Sequence, residues 1–465
     1  MRHKISVNTS LFITFITVNV LLRLFSIDAA SFLYGADATQ YFEPAESLLR
    51  QGNFNTSGGD FFSVGTPIYS IFLSMPLGFF DFESALNVIV ILQCLILFLS
   101  GIIVRHIVAS FIELKFIAYL AQGLLIFNPN SLITAHLIQS ETLFTLFFVL
   151  LLFYGFSFIK NLSIKNAILT GIFCGLLALT RPSGLYILIA VPILLFLAFI
   201  VDSKNQILFE NLRTRVFLIL ILVLVSSLIL SPWYVRNYIE TQEFFLSSNS
   251  GYYLEDQYIQ LLKVGKGLDH EGSIEYIDDK LTKYFENNNI SLVCLENKMK
   301  RHWSCNQYIT SAILNEIVRE PISSHLKALS NSWLHLFVSG GASNYKNYFG
   351  FSGVNLITSL QNQTHELHES TIKILKNLDL KYLIVFTLTS LFSILSRILG
   401  LIGIYAMITN KQLQAMLVLK LGLLAVFVGM YLYLGQSRFR VPIEPILMIF
   451  TVLGYNFLIE RSKND

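Results

Sequence analysis

An all-helical fold that crosses a membrane many times is predicted by three observations. The 465 residues are 54% hydrophobic and only 14% charged, whereas soluble domains carry about 25% charged residues. The mean hydropathy is +0.60. The apolar residues also gather in runs close to the ~20 residues that a spanning helix needs, with Lys and Arg collected between alternate runs. A net charge of +3 is too small to point to nucleic acid as a partner. The 39 Phe and 21 Tyr suit lipid-facing surfaces and interfacial belts.

The first run, residues 7–25, follows Met1-Arg2-His3-Lys4 without a convincing small-residue cleavage site, and reads as an uncleaved span. Polar chemistry first gathers directly after it, in residues 35–52. Ala38, Tyr41, Phe42, Ala45, Leu48 and Leu49 share one helical face; Gln40, Glu43, Ser47, Arg50 and Gln51 share the other. That pattern predicts a helix lying at an interface. Tyr41 falls four residues after Asp37, on the same side and one turn along. Asp37 with Gln40 three residues on also fits an N-cap and its capping-box partner, and the two roles are compatible.

Residues 67–80 are too short to span and are broken by Pro67, Pro76 and Gly78. They read as a re-entrant or interfacial helix of the same outer loop. The remaining spans are expected at 86–105, 116–132, 142–159, 167–180, 185–201, 216–233, 382–408, 414–434 and 441–459, ten in all. With the N-terminus inside, the inner loops collect Arg2, Lys4, Arg105, Lys115, Lys160, Lys165, Lys204, Arg213, Arg215, Lys411, Arg461 and Lys463. Both ends are then cytoplasmic, in a cell (inner) membrane. Three parts follow: an N-terminal membrane module, 1–235, with its outer first loop at 26–85; a large extracytoplasmic loop domain, 236–381; and C-terminal membrane helices, 382–465. Cys94 and Cys174 lie in apolar runs, whereas Cys294 and Cys305 lie in the large outer part and can pair if it faces an oxidising compartment.

With the inner residues assigned, Arg181, Arg236, Arg438 and Arg440 remain at outer membrane ends, against the usual bias. Asp37 and Glu141 share that level. Each Arg taken alone fits snorkelling, but snorkelling does not explain why charges from five segments meet on one face. Arg397 and Lys420 fall inside apolar runs without an evident acidic partner, and no role is assigned to them. Among His302, His325, His335, His365 and His368, only the last two have a ligand-like spacing, three apart. Without a third ligand at clear spacing, they read as ordinary interfacial histidines rather than as a metal site.

Taken in order, the short motifs resemble the membrane glycosyltransferases of the GT-C fold, in particular the protein-mannosyltransferase-like glycosyltransferase family 39. They are Gly35-Ala36-Asp37 with Tyr41 and Ala45; Gly65-Thr66-Pro67-Ile68-Tyr69; Ser140-Glu141-Thr142-Leu143-Phe144; the stretch from Gly175 through Thr180-Arg181-Pro182-Ser183-Gly184; Pro232-Trp233 with Arg236-Asn237, and Ser248-Asn249 with Gly251 after it; and Arg438-Phe439-Arg440-Val441-Pro442 with Glu444-Pro445. No single motif is specific; the ordered set is. Residues 270–381 show no likeness. Many protein mannosyltransferases carry two adjacent acids in the first loop, whereas Ala36 and Ala38 flank Asp37, so the chain is nearer to bacterial lipid- or glycan-modifying members.

The resemblance implies a GT-C fold of about ten transmembrane helices, interfacial helices in the first loop and a large outer loop domain. It also implies transfer of a hexosyl or pentosyl group from a polyprenyl-phosphate sugar donor to a glycan, lipid or protein acceptor, with inversion, at the outer face of the lipid bilayer. Asp37 matches the first-loop acid and would be the general base, with Glu141 the second outer acid. Arg236, Arg438, Arg440 and Arg181 would bind the donor phosphate, and Tyr41, Glu43 and Tyr69 would contact substrate. Tyr252, Tyr253 and Trp333 fit either sugar stacking or loop packing. No cofactor is required, since a phosphate monoester can leave without nucleotide, and an optional divalent metal is compatible. An O-antigen-type polymerase or ligase would be expected to keep its key residues in the large loop. A lipid-linked glycan transporter would be expected to show midplane helix breaks and a repeat.

Overall fold

Nearly every apolar run becomes a helix, because the backbone polar groups of a chain in lipid must be satisfied within the chain itself. The N-terminal part holds α1 (Val7–Leu24), α2 (Gly35–Gln51), α3 (Pro67–Phe79), α4 (Phe82–Ala109), α5 (Lys115–Ile126), α6 (Pro129–Thr134), α7 (Glu141–Lys160), α8 (Ile164–Thr180), α9 (Gly184–Asp202) and α10 (Leu208–Thr241). A second helical unit follows, here called the outer helical unit because the sequence pattern expects it outside the membrane, with α11 (Ser250–Lys266), α12 (His270–Asn287), α13 (Trp303–Arg319), α14 (Ile322–Val338) and α15 (Ala342–Phe349). The chain ends in α16 (Leu380–Thr409), α17 (Gln414–Met430), the single-turn α18 (Ser437–Arg440) and α19 (Glu444–Asn464). The computed structural model describes residues 6–27, 35–56, 58–202, 208–295, 303–351, 379–410 and 413–464. Arg2, Lys4, Lys204, His302, His365, His368 and Lys411 lie outside the described residues.

Seven helical stretches among the described residues are long and apolar enough to cross a membrane, and α3, α5, α8 and α17 are shorter apolar helices. The run expected as one span at 116–132 is two helices. The Asn128 side chain accepts from the backbone N–H groups of Asn130 and Ser131 at 3.0 and 3.1 Å. Pro129 occupies the first position of α6, so the chain stops at Ile126 and restarts. The span expected to 434 ends at Met430, and the one expected from 441 opens with a short 3-10 turn, Val441–Ile443. Asp37 is not an N-cap, because α2 begins at Gly35 and takes Asp37 into its first turn.

Three cores result. The largest joins α4, α5, α7, α8, α9, α17 and α19. A second packs α1 to α4 with the α6–α7 region and α15, burying Ala38, Phe42 and Ala45 of α2 together with Tyr69 and Leu73 of α3. The third belongs to α11 to α14 and includes Tyr433 from the α17–α18 connection. A disulfide joins Cys294 to Cys305 inside it. Between α16 and α19 the backbones touch: a Cβ on Gly403 would overlap the Phe450 carbonyl, and one on Gly454 the Leu399 carbonyl.

That close approach explains one intramembrane charge. Arg397 on α16 does have an acidic partner, Glu444 on α19, with Nη2 3.0 Å from each carboxylate oxygen. The partner lies 47 residues on, out of reach of any local pattern. Lys420 is wholly buried, with its ammonium 4.9, 5.1 and 5.8 Å from the ring centroids of Phe111, Phe156 and Phe450.

Candidate active site

The first loop's carboxylate and the last segment's cation meet. Arg438 on α18 sets Nη1 2.7 Å from Oδ2 of Asp37 on α2. The Asp37 side chain is 42% exposed, so it stays open to a ligand, while Arg438 is 17% exposed. One turn along α2, the Tyr41 hydroxyl lies 3.1 Å from Ser140 Oγ. Ser140 precedes Glu141, whose carboxylate receives Arg181 Nη1 at 2.5 Å. Tyr41 feels the charges of Arg181, Glu141 and Asp37, so two ion pairs and a phenol form one cluster. Burial, the largest influence, raises the Tyr41 pKa and keeps it a phenol. Burial works against the charge of Arg181, but the Glu141 carboxylate, with Tyr431 and Tyr41 adding to it, outweighs burial and holds the guanidinium cationic.

Each group is placed by local sequence. Asp37 in the first turn and Glu141 at the start of α7 are favoured by the positive end of a helix dipole. Arg181 is the C-cap of α8, where Pro182 follows and the helix cannot continue. Arg438 is presented by a four-residue helix whose Phe439 ring stacks on Tyr431 with centroids 4.4 Å apart.

The other expected residues are placed as follows. Tyr69 is fully buried, its ring 4.7 Å from that of Tyr41 and its hydroxyl donating to Gln93 Oε1 at 2.9 Å. Glu43 is partly exposed on α2. Arg236 sits between the Phe61 and Trp233 rings, 3.9 and 4.6 Å from their centroids, and donates to the backbone carbonyls of Phe54 and Phe62. It therefore ties the first loop to α10. Arg440 is wholly buried and donates to Glu444, to the Leu336 carbonyl and to Ser393. Its donors are committed inside the protein.

Sequence reasoning missed Ser140 as the bridge to Tyr41. It also missed Gln93, whose Nε2 donates to the carbonyls of Ala135 and Leu137 and so holds the approach to α7. A glutamine in the middle of an apolar run was the available signal for it. Among the described residues no group of three or more His, Cys, Asp or Glu is arranged to hold a metal ion.

No protein-family model and no curated protein matches the chain in sequence. Solved structures match it in fold. The archaeal oligosaccharyltransferase AglB from Archaeoglobus fulgidus, in complex with an inhibitory peptide and a dolichol-phosphate, aligns at a TM-score of 0.50 and 14% identity. The match covers 98% of this chain and 50% of AglB. The Archaeoglobus fulgidus oligosaccharyltransferase in complex with Zn and sulfate gives 0.50 and 15%, covering 96% and 49%. ArnT from Cupriavidus metallidurans bound to undecaprenyl phosphate aligns less closely, at 0.40 and 15%, covering 97% and 78%. The chain spans about half the length of the oligosaccharyltransferase it matches. The class that follows is an all-helical, multi-pass membrane protein. Its fold is that of the GT-C membrane glycosyltransferases.

Proposed function

We propose that this chain is a membrane glycosyltransferase. It moves a sugar from a polyprenyl-phosphate-linked donor to an acceptor hydroxyl at the extracytoplasmic face, with inversion and with Asp37 as general base. The observation that carries the reading is the 2.7 Å pair of Asp37 and Arg438, with the Glu141–Arg181 pair alongside. Displacing a lipid phosphate by a hydroxyl needs a base for the incoming proton and cations for the outgoing charge. Asp37 takes the hydroxyl proton as that oxygen bonds to the anomeric carbon. The bond from that carbon to the phosphate oxygen breaks, and its electron pair stays on the phosphate, held by Arg438 and Arg181. Glu141 fixes Arg181 and, with Tyr41 and Glu43, orients the acceptor. Arg236 and Arg440 are left out of phosphate binding because their donors are engaged elsewhere. No step is assigned to a metal, since both carboxylates already face guanidinium groups.

The dolichol-phosphate bound to AglB supports a lipid-phosphate carrier. The ordered motifs favour a bacterial protein-mannosyltransferase-like enzyme, with a glycan, lipid or protein as acceptor. The disulfide favours an oxidising compartment for the outer helical unit, so we place the site outside the cell membrane and both termini in the cytoplasm. The test is turnover of a panel of polyprenyl-phosphate sugars by the purified protein in lipid nanodiscs. Product with inverted anomeric configuration is expected from at least one donor. Failure with every donor, or retention of configuration, overturns the reading.

A further inference from the structure

Arg438 stands on a connection that has little regular structure of its own. Between α17 and α18 the backbone of residues 431–436 forms no helix, so its polar groups need other partners. The outer helical unit supplies them. Gln257 of α11, only 6% exposed, donates from Nε2 to the Met430 carbonyl and accepts the Tyr433 N–H at Oε1, both at 2.9 Å. One carboxamide thus pairs with one backbone acceptor and one donor, as a strand neighbour would. Around it, Tyr253 Oη donates to Met430 O at 3.0 Å, and Ser332 Oγ of α14 to Tyr431 O at 3.3 Å. His325 Nδ1 lies 2.6 Å from the Tyr433 hydroxyl. A Cβ on Gly435 would overlap the Ser332 carbonyl, so the connection is pressed against α14. At the far end, Asn130 Nδ2 of α6 donates to the Ser437 carbonyl at 2.6 Å. Arg438 is the next residue.

We propose that Gln257 is a positioning residue for Arg438, through which the outer helical unit sets how firmly the lipid phosphate is held. This rests on the transferase reading above. Gln257 does not touch the phosphate; it fixes the start of the connection while Asn130 fixes its end. Loosening either end lets Arg438 leave the place where it meets Asp37.

The test measures binding of undecaprenyl phosphate, without sugar, to the full chain in lipid nanodiscs by titration calorimetry. Wild type, Gln257→Leu, Arg438→Ala and the double variant are compared, with melting temperature recorded for each. Gln257→Leu is expected to weaken binding about tenfold, the order lost with a buried hydrogen-bonded constraint. Gln257→Glu, which keeps the acceptor for Tyr433 N–H, is expected to recover part of that loss. The double variant is expected to bind no more weakly than Arg438→Ala alone, because Gln257 acts through Arg438. If Gln257→Leu does not fold, Asn130→Ala gives the same comparison from the other end. Wild-type affinity in Gln257→Leu, or losses that multiply in the double variant, overturns the positioning role and leaves the transferase reading standing. A wild type that binds no undecaprenyl phosphate overturns both.

Discussion

Replacing Glu444 by Gln should damage the protein more than removing the arginine it pairs with from α16. The Glu444 carboxylate is wholly buried and serves two cations: Arg440 Nε at 2.5 Å and Arg397 Nη2 at 3.0 Å from each oxygen. Glu444→Gln keeps the shape but leaves a wholly buried guanidinium, Arg440, and a largely buried one, Arg397, without a counter-charge. Breaking a buried pair in this way costs about 3–5 kcal/mol. Arg397→Met instead leaves one cation facing one anion, and replacing a buried charge with an apolar group of similar size is often close to neutral. Unfolding entropy of about 2.1 cal/mol/K per residue, taken over 465 residues, amounts to roughly 1 kcal/mol/K. Glu444→Gln should therefore lower the melting temperature by about 3–5 °C, and Arg397→Met by clearly less. Scanning fluorimetry on both variants in lipid nanodiscs checks this. A Glu444→Gln protein that melts with wild type, or an Arg397→Met protein that melts lower than Glu444→Gln, refutes the reasoning.

Other expectations concern charge, protonation and cross-linking. Buried His136 lies 2.8 Å from Asn19 Oδ1 and 2.9 Å from the Tyr348 hydroxyl. Burial, with Arg23 adding to it, pushes its pKa down to about 4. Its contribution to stability is then complete above the ordinary histidine pKa of about 6.5 and is lost as pH falls toward 4, in all about 3 kcal/mol. His136→Asn should flatten the fall of melting temperature between pH 7 and pH 4.5; an unchanged slope counts against this assignment. Arg181→Ala should lower kcat/KM for transfer about 100-fold or more, with Arg181→Lys in between; equal activity in all three would remove Arg181 from the site. Cys294 and Cys305 are 11 residues apart, so reducing their disulfide should cost about 3 kcal/mol on the loop-entropy account. Faster proteolysis of the outer helical unit under reductant is the readout, and unchanged resistance is the contrary one.

Helix positions were legible because lipid imposes one requirement on the whole chain, and apolar length reports it directly. Asp37, Glu141, Arg181 and Arg438 were legible as charges standing where a membrane protein avoids them. What they touch was not legible, since the Asp37–Arg438 contact joins the two ends of the chain. The break at Asn128-Pro129 was written in the sequence as a cap followed by a proline, but the apolar run around it masked the signal. Arg236 and Arg440 show the opposite failure. They carry the same charge at the same level as Arg438, yet the carbonyls of Phe54, Phe62 and Leu336 hold them, and backbone carbonyls leave no trace in residue identity. Arg397 looked unpaired because its partner lies 47 residues on, on a helix that two glycines bring into contact.

Asp37→Asn isolates the proton-accepting role of the first-loop carboxylate. The substitution keeps the size of the side chain and its place in the first turn of α2 while removing the carboxylate that can accept a proton. Sugar transfer should be compared with wild type on a donor that wild type turns over, with donor binding measured in parallel. The expected result is a fall in kcat of about 10²–10⁴, with a folded protein that still binds donor. Transfer at the wild-type rate by a folded Asp37→Asn protein would show that Asp37 is not the base.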